Sequence, residues 1–104
     1  MPITNATAAS TTRPMGFFMP TRDQLIATYS GIVHAAQESG KLQQLKHAPA
    51  HADRYPSYPV TPNRMMGVKQ DAFVIKGEIY VKTTAFTRNP QHVSWAKAGP
   101  APLF

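Results

Sequence analysis

A chain of 104 residues has room for one small domain, and its ten prolines divide it into short stretches in which regular structure can form. At 42% hydrophobic and 15% charged, with five Phe, four Tyr and one Trp, it is not composed like a disordered chain, so these side chains need burial. Eleven Lys and Arg against five Asp and Glu give a formal charge of +6, which points to an acidic partner; the absence of cysteine excludes disulfides and thiolate metal sites, and no apolar run approaches the roughly 20 residues of a membrane span.

Residues 1–20 read as an extended N-terminal arm. Met15, Phe17, Phe18 and Met19, set between Pro14 and Pro20, form its one apolar cluster, and Phe17 and Phe18 are candidate partner anchors. The arm's Thr and Ala content and lack of acid faintly resemble an organellar presequence, but the prolines break any amphipathic helix there.

Residues 21–48 read as a helical segment. Thr21 and Gln24 have capping-box spacing, Asp23 complements the helix dipole, and Leu25, Ile26, Tyr29, Ile32, Val33 and Ala36 recur on one face. Gly40 predicts the end of this helix, with Leu42 and Leu45 in a possible further turn. Residues 49–68 read as a Pro/Tyr-rich extended linker, because Pro56, Pro59 and Pro62 repeat at the three-residue polyproline II period. Tyr55, Tyr58 and Arg64 within it are candidate partner contacts.

Residues 69–89 read as a β-hairpin, with Phe73-Val74-Ile75 and Ile79-Tyr80-Val81 on either side of Lys76-Gly77-Glu78. A two-stranded hairpin is marginal in water and needs a surface. Residues 90–104 read as an extended C-terminal tail, with Trp95, Leu103 and Phe104 as anchors. The expected fold is therefore a largely extended, irregular chain with one amphipathic helix, one β-hairpin and little independent core.

The residues offer no constellation for catalysis. His47 and His51 have the spacing of two ligands on a helix, but Pro49 lies between them, the five carboxylates are isolated, and the six glycines are too dispersed for a phosphate loop. The expectation is a non-enzyme with no cofactor, metal or small-molecule substrate, acting as a structural component that staples neighbouring subunits of a large multi-subunit assembly. In its Tyr55-Pro56-Ser57-Tyr58-Pro59 stretch, its Asn63-Arg64-Met65-Met66-Gly67 stretch and its Pro-Ala-Pro-Leu-Phe end, the chain is similar in style to the small microtubule inner proteins of ciliary and flagellar axonemes. That resemblance implies tubulin and other inner proteins as partners, stabilisation of doublet microtubules as the role, and a place in the cytoplasm, on the axonemal cytoskeleton of a cilium or flagellum.

Two alternatives stand beside it. One is an accessory subunit of a mitochondrial respiratory complex or a ribosome. The other is a small basic nucleic-acid-binding protein, in which Lys69, Lys76, Lys82 and Arg88 around Phe73, Tyr80 and Phe86 supply charge and stacking. The even scatter of basic residues makes nucleic acid the less favoured partner on sequence grounds.

Overall fold

The computed structural model describes residues 19–63, 66–87 and 89–103. Among these residues the first element is helix α1, Arg22–Glu38, whose N-terminus carries the reciprocal pair that the Thr21/Gln24 spacing predicts. The Gln24 amide donates to the Thr21 hydroxyl at 3.2 Å, and the Thr21 amide donates to the Gln24 side chain at 2.8 Å. Two of the four amides that every helix start leaves unpartnered are satisfied this way.

Five strands follow: β1 Gln43–Leu45, β2 Ser57–Pro59, β3 Val68–Ile75, β4 Glu78–Ala85 and β5 His92–Pro100. They build one antiparallel sheet in the order β1-β5-β4-β3-β2. Strands β2 to β5 are a meander. The short β1, arriving directly from the helix, pairs with β5 at the far edge, and a connection from Lys46 to Pro56 carries the chain to the opposite edge.

An extended chain with little core, the architecture expected from the prolines, is therefore not the one that forms. Helix α1 lies on one face of the sheet, where Tyr29 and Val33 pack with Val60, Ala72, Ile79 and Val81 in a single buried cluster. Val33, Ala72 and Ile79 are fully buried. Ala72 on β3 and Ala96 on β5 are small buried residues flanking Val81 of β4, which lets the helix approach the sheet. Burial of a Val or Ile side chain contributes about 1.5–3 kcal/mol, so this cluster supplies the core that the hairpin alone lacks.

Three segments account for the difference. The stretch through Leu42 and Leu45, expected to form a further helical turn, instead contains strand β1, Gln43–Leu45. Within the expected polyproline linker, Ser57–Pro59 pairs with β3, and the ladder shows why its prolines are harmless. The Val74 amide donates to the Pro56 carbonyl at 3.2 Å and the Val60 amide to the Gln70 carbonyl at 2.9 Å. Even-numbered residues thus face β3, and Pro59 turns its missing donor to the free edge. The expected tail contains the longest strand, β5, which ends where a proline is again tolerated.

The hairpin turn forms as the glycine predicts. Lys76 (φ 51°) and Gly77 (φ 78°) both take positive φ, the requirement of a two-residue type I′ turn. Gly67, at φ 75°, is constrained twice over: its carbonyl accepts from the Phe86 amide at 2.9 Å, and a Cβ there would lie 2.6 Å from Cγ2 of Thr87. Between Ile79 and Tyr80 the β4–β5 register shifts, leaving Ala98 as the extra residue of a β-bulge.

Because the core belongs to the chain itself, the isolated protein is expected to unfold in one cooperative transition. Ile79→Ala should lower its stability by about 2–5 kcal/mol and Gly67→Ala by about 1–3 kcal/mol, both read from urea denaturation; a non-cooperative loss of signal in the wild type would contradict this core.

Candidate functional site

Successive strand residues point to opposite faces, and residues paired across an antiparallel ladder share a face. The helix claims the face bearing Ala72, Val81 and Ala96. The register then places Phe73, Tyr80 and Lys97 in one row across the other face, with Asp71, Lys82 and Trp95 in the next row and Lys69, Thr84 and Val93 in a third. Among the described residues, these three rows of the second face hold three aromatic side chains, Phe73, Tyr80 and Trp95, and three lysines, Lys69, Lys82 and Lys97.

The side chains on it interact. The rings of Phe73 and Trp95 lie 5.1 Å apart between centroids and are inclined at 54°, although β4 separates their strands. Both lean over the central strand, so the pair bridges the row of Tyr80 and the row of Lys82. The Lys97 ammonium is 3.5 Å from the Glu78 carboxylate and 6.0 Å from the centre of the Tyr80 ring. Both partners of that ion pair are more than a third exposed, which makes it worth about 0–1 kcal/mol. Phe73, Tyr80, Trp95, Lys82 and Lys97 are all half-buried, and Lys69 and Val93 are exposed. Three lysines against Asp71 and Glu78 leave the face weakly positive.

Where β1 ends, a cleft opens. Leu45 opposite Trp95 is the last β1–β5 pair. Beyond it, Lys46 and His47 diverge from Ser94 and His92, and the space between has a volume of about 430 Å³ with Trp95 in its wall. A smaller cleft at the other edge, about 250 Å³, is lined mainly by apolar residues including Pro59, Val60 and Val68.

The sequence-predicted contact residues are dispersed. Phe17, Phe18, Arg64 and Phe104 lie outside the described residues, as does Arg88. Tyr58 packs under the helix, 5.1 Å from the Tyr29 ring, with the Arg22 guanidinium 5.1 Å above it. Tyr55 is half-buried as it leads from a 3₁₀ turn, Ala52–Arg54, into β2. Leu103 is 98% exposed, and Met66 and Phe86 are also exposed. Trp95 alone joins the second face. Lys69, Lys82, Phe73 and Tyr80, named for the nucleic-acid alternative, do come together there, whereas Lys76 sits in the hairpin turn.

Lys97 and His92 are residues that sequence reasoning missed, and His47 is weighed there only with His51. Lys97 stands two positions after Trp95, the period-2 signal that places both on one face. Nothing in the sequence pairs His47 with His92, because only the β1–β5 ladder brings them together. Among the described residues, no group of three His, Asp or Glu could hold a metal ion, and no helix is long and apolar enough to cross a membrane. His34 Nε2 is buried without a hydrogen-bond partner among the described residues. Its neighbour one turn earlier, Ser30, accepts from the Thr61 amide at 2.9 Å.

Burial, reinforced by the neighbouring Tyr58, raises the Tyr29 phenol above its usual value of 10.0. A group whose pKa is raised on folding contributes stability that is complete below its unfolded pKa and is lost as pH rises through the folded one. Stability should therefore fall as pH climbs past about 10, and Tyr29→Phe should flatten that decline in urea titrations at several alkaline pH values. An identical decline in the variant would assign the effect elsewhere.

No protein-family model, curated protein or solved structure matches the chain.

Proposed function

We propose that this protein is a non-catalytic binding module in which the sheet face opposite helix α1 receives a single-stranded nucleic acid. The observation that carries this reading is the second face itself, on which Phe73, Tyr80 and Trp95 alternate with Lys69, Lys82 and Lys97. Every base has a π-face that can stack on an aromatic ring, and lysines spaced along the rows meet the phosphates. A sheet bearing both needs no sequence-specific contact to bind a strand. The overall charge of +6 adds long-range attraction to a polyanion.

The expectation of an assembly component retains one observation in its favour, the exposure of Met66, Phe86 and Leu103, which would suit docking against a protein neighbour. Its particular form, an inner protein of an axonemal doublet binding tubulin, drew on an extended chain that partners would order. The sheet removes that support, whereas the accessory subunit of a respiratory complex or ribosome, which rests on small size, basic charge and proline content, is not addressed by it.

Titration of labelled oligothymidylate or oligouridylate, followed by anisotropy, tests the nucleic-acid reading. Affinity should fall with salt at a slope of about −0.7 per phosphate neutralised, so close to −2 if three lysines engage. Tyr80→Ala should cost about 1–3 kcal/mol of binding, measured at a temperature where circular dichroism shows the variant still folded. No binding at low salt, or binding indifferent to salt, would reject the reading and leave the protein-docking alternative.

A further inference from the structure

We propose that the nucleic-acid strand on the second face lies along β4 from Tyr80 to Phe86, its footprint closed at about four nucleotides by an end base stacked on Phe86. The proposal rests on the strand-binding reading and adds to it a direction, a length and a residue.

The backbone carries this track one step beyond β4. The even-numbered residues of that strand, Tyr80, Lys82 and Thr84, hold the second face. The last β3–β4 pair is Val68 with Ala85, and the next one out is made by the Phe86 amide, which donates to the Gly67 carbonyl at 2.9 Å. With the ladder continued in this way, alternation sets Phe86 just past the last row and on the same side as Thr84. At 49% exposure, its ring keeps an open side for a base.

Spacing fixes the length. Six residues at about 3.4 Å each place Phe86 about 20 Å from Tyr80. A stacked strand advances about 3.4 Å per nucleotide, and one whose bases are splayed onto separate rings advances roughly twice that. About three such steps cover the distance, so about four nucleotides bridge it, the low end of the roughly 4–16 that single-strand-binding domains engage.

The two ends of the track are aromatic and its middle is basic. Tyr80 stands at one end with Phe73 and Trp95, whose rings touch at 5.1 Å between centroids, and Phe86 stands at the other. Lys82 and Lys69 occupy the rows between, against the single carboxylate of Asp71. Phosphates that link bases stacked at the two ends therefore pass over net positive charge.

The full chain is titrated with labelled oligothymidylates of two to eight nucleotides, followed by anisotropy. Affinity should rise steeply up to about four nucleotides and flatten beyond. Phe86→Ala and Phe86→Leu should each weaken binding of the eight-nucleotide strand about tenfold, one stacked base's worth, and leave the dinucleotide, held at the three-ring end, unchanged. Phe86→Trp should match the wild type at every length. Urea denaturation confirms that each variant is folded.

Affinity that climbs evenly with length overturns the track, as does an equal loss at two and eight nucleotides in Phe86→Ala. No loss at any length also overturns it and leaves the ring to a protein neighbour. A loss in Phe86→Ala that Phe86→Leu restores makes the contact apolar packing and overturns the stacked end base. Absence of binding at every length rejects the strand-binding reading itself, and the track with it.

Discussion

The two-residue turn at Lys76-Gly77 is the constraint on which the rest of the structure depends. Positive φ at both positions locks β3 and β4 into one register, Ile75 opposite Glu78 and onward to Val68 opposite Ala85. Side chains alternate along a strand, so a slip of one residue between the two would leave Ala72 and Val74 on one face and Ile79 and Val81 on the other. The helix could not then bury its stripe against an apolar surface. One turn thereby decides which residues become core and which become surface, and β2 and β5 inherit the decision by pairing with the strands on either side.

Much of the local structure is legible in the sequence. The helix start is written in Thr21, Asp23 and Gln24, its buried stripe in Tyr29, Val33 and Ala36, and the hairpin in Gly77 between two runs of β-formers. What was not legible is the sheet beyond the hairpin. Strand β5 turns Ser94, Ala96 and Ala98 to the helix side and Val93, Trp95 and Lys97 to the other, so neither face reads as a hydrophobic alternation. Small residues suffice there because the helix lies close above. Strand β2 is hidden by its own prolines, which mark an edge rather than an interruption, and β1 is three residues long with only Leu45 as an apolar signal.

The candidate site follows the same division. Lysines and aromatics on β3 and β4 are close in sequence, and their interleaving is visible there as a basic and aromatic stretch. Trp95 and Lys97 reach the same face only through the β4–β5 ladder, and the cleft containing His47 and His92 depends on the pairing of two strands from opposite ends of the described chain. Sequence distance conceals what non-local pairing brings together.

That last pairing also bears on how the molecule assembles. The meander β2 to β5 grows by neighbouring strands, each joined through a connection of modest length, whereas seating β1 on β5 closes a loop of about fifty residues and is rewarded by only three paired residues. The entropy of closing that loop must be met before the contacts repay it. Strand β1 is therefore the natural last arrival and the first element to detach. A chain that has built its meander but not yet seated β1 already displays Phe73, Tyr80 and Trp95 on a sheet, yet it has no second wall for the cleft, so the aromatic face and the cleft come into being at different stages of folding.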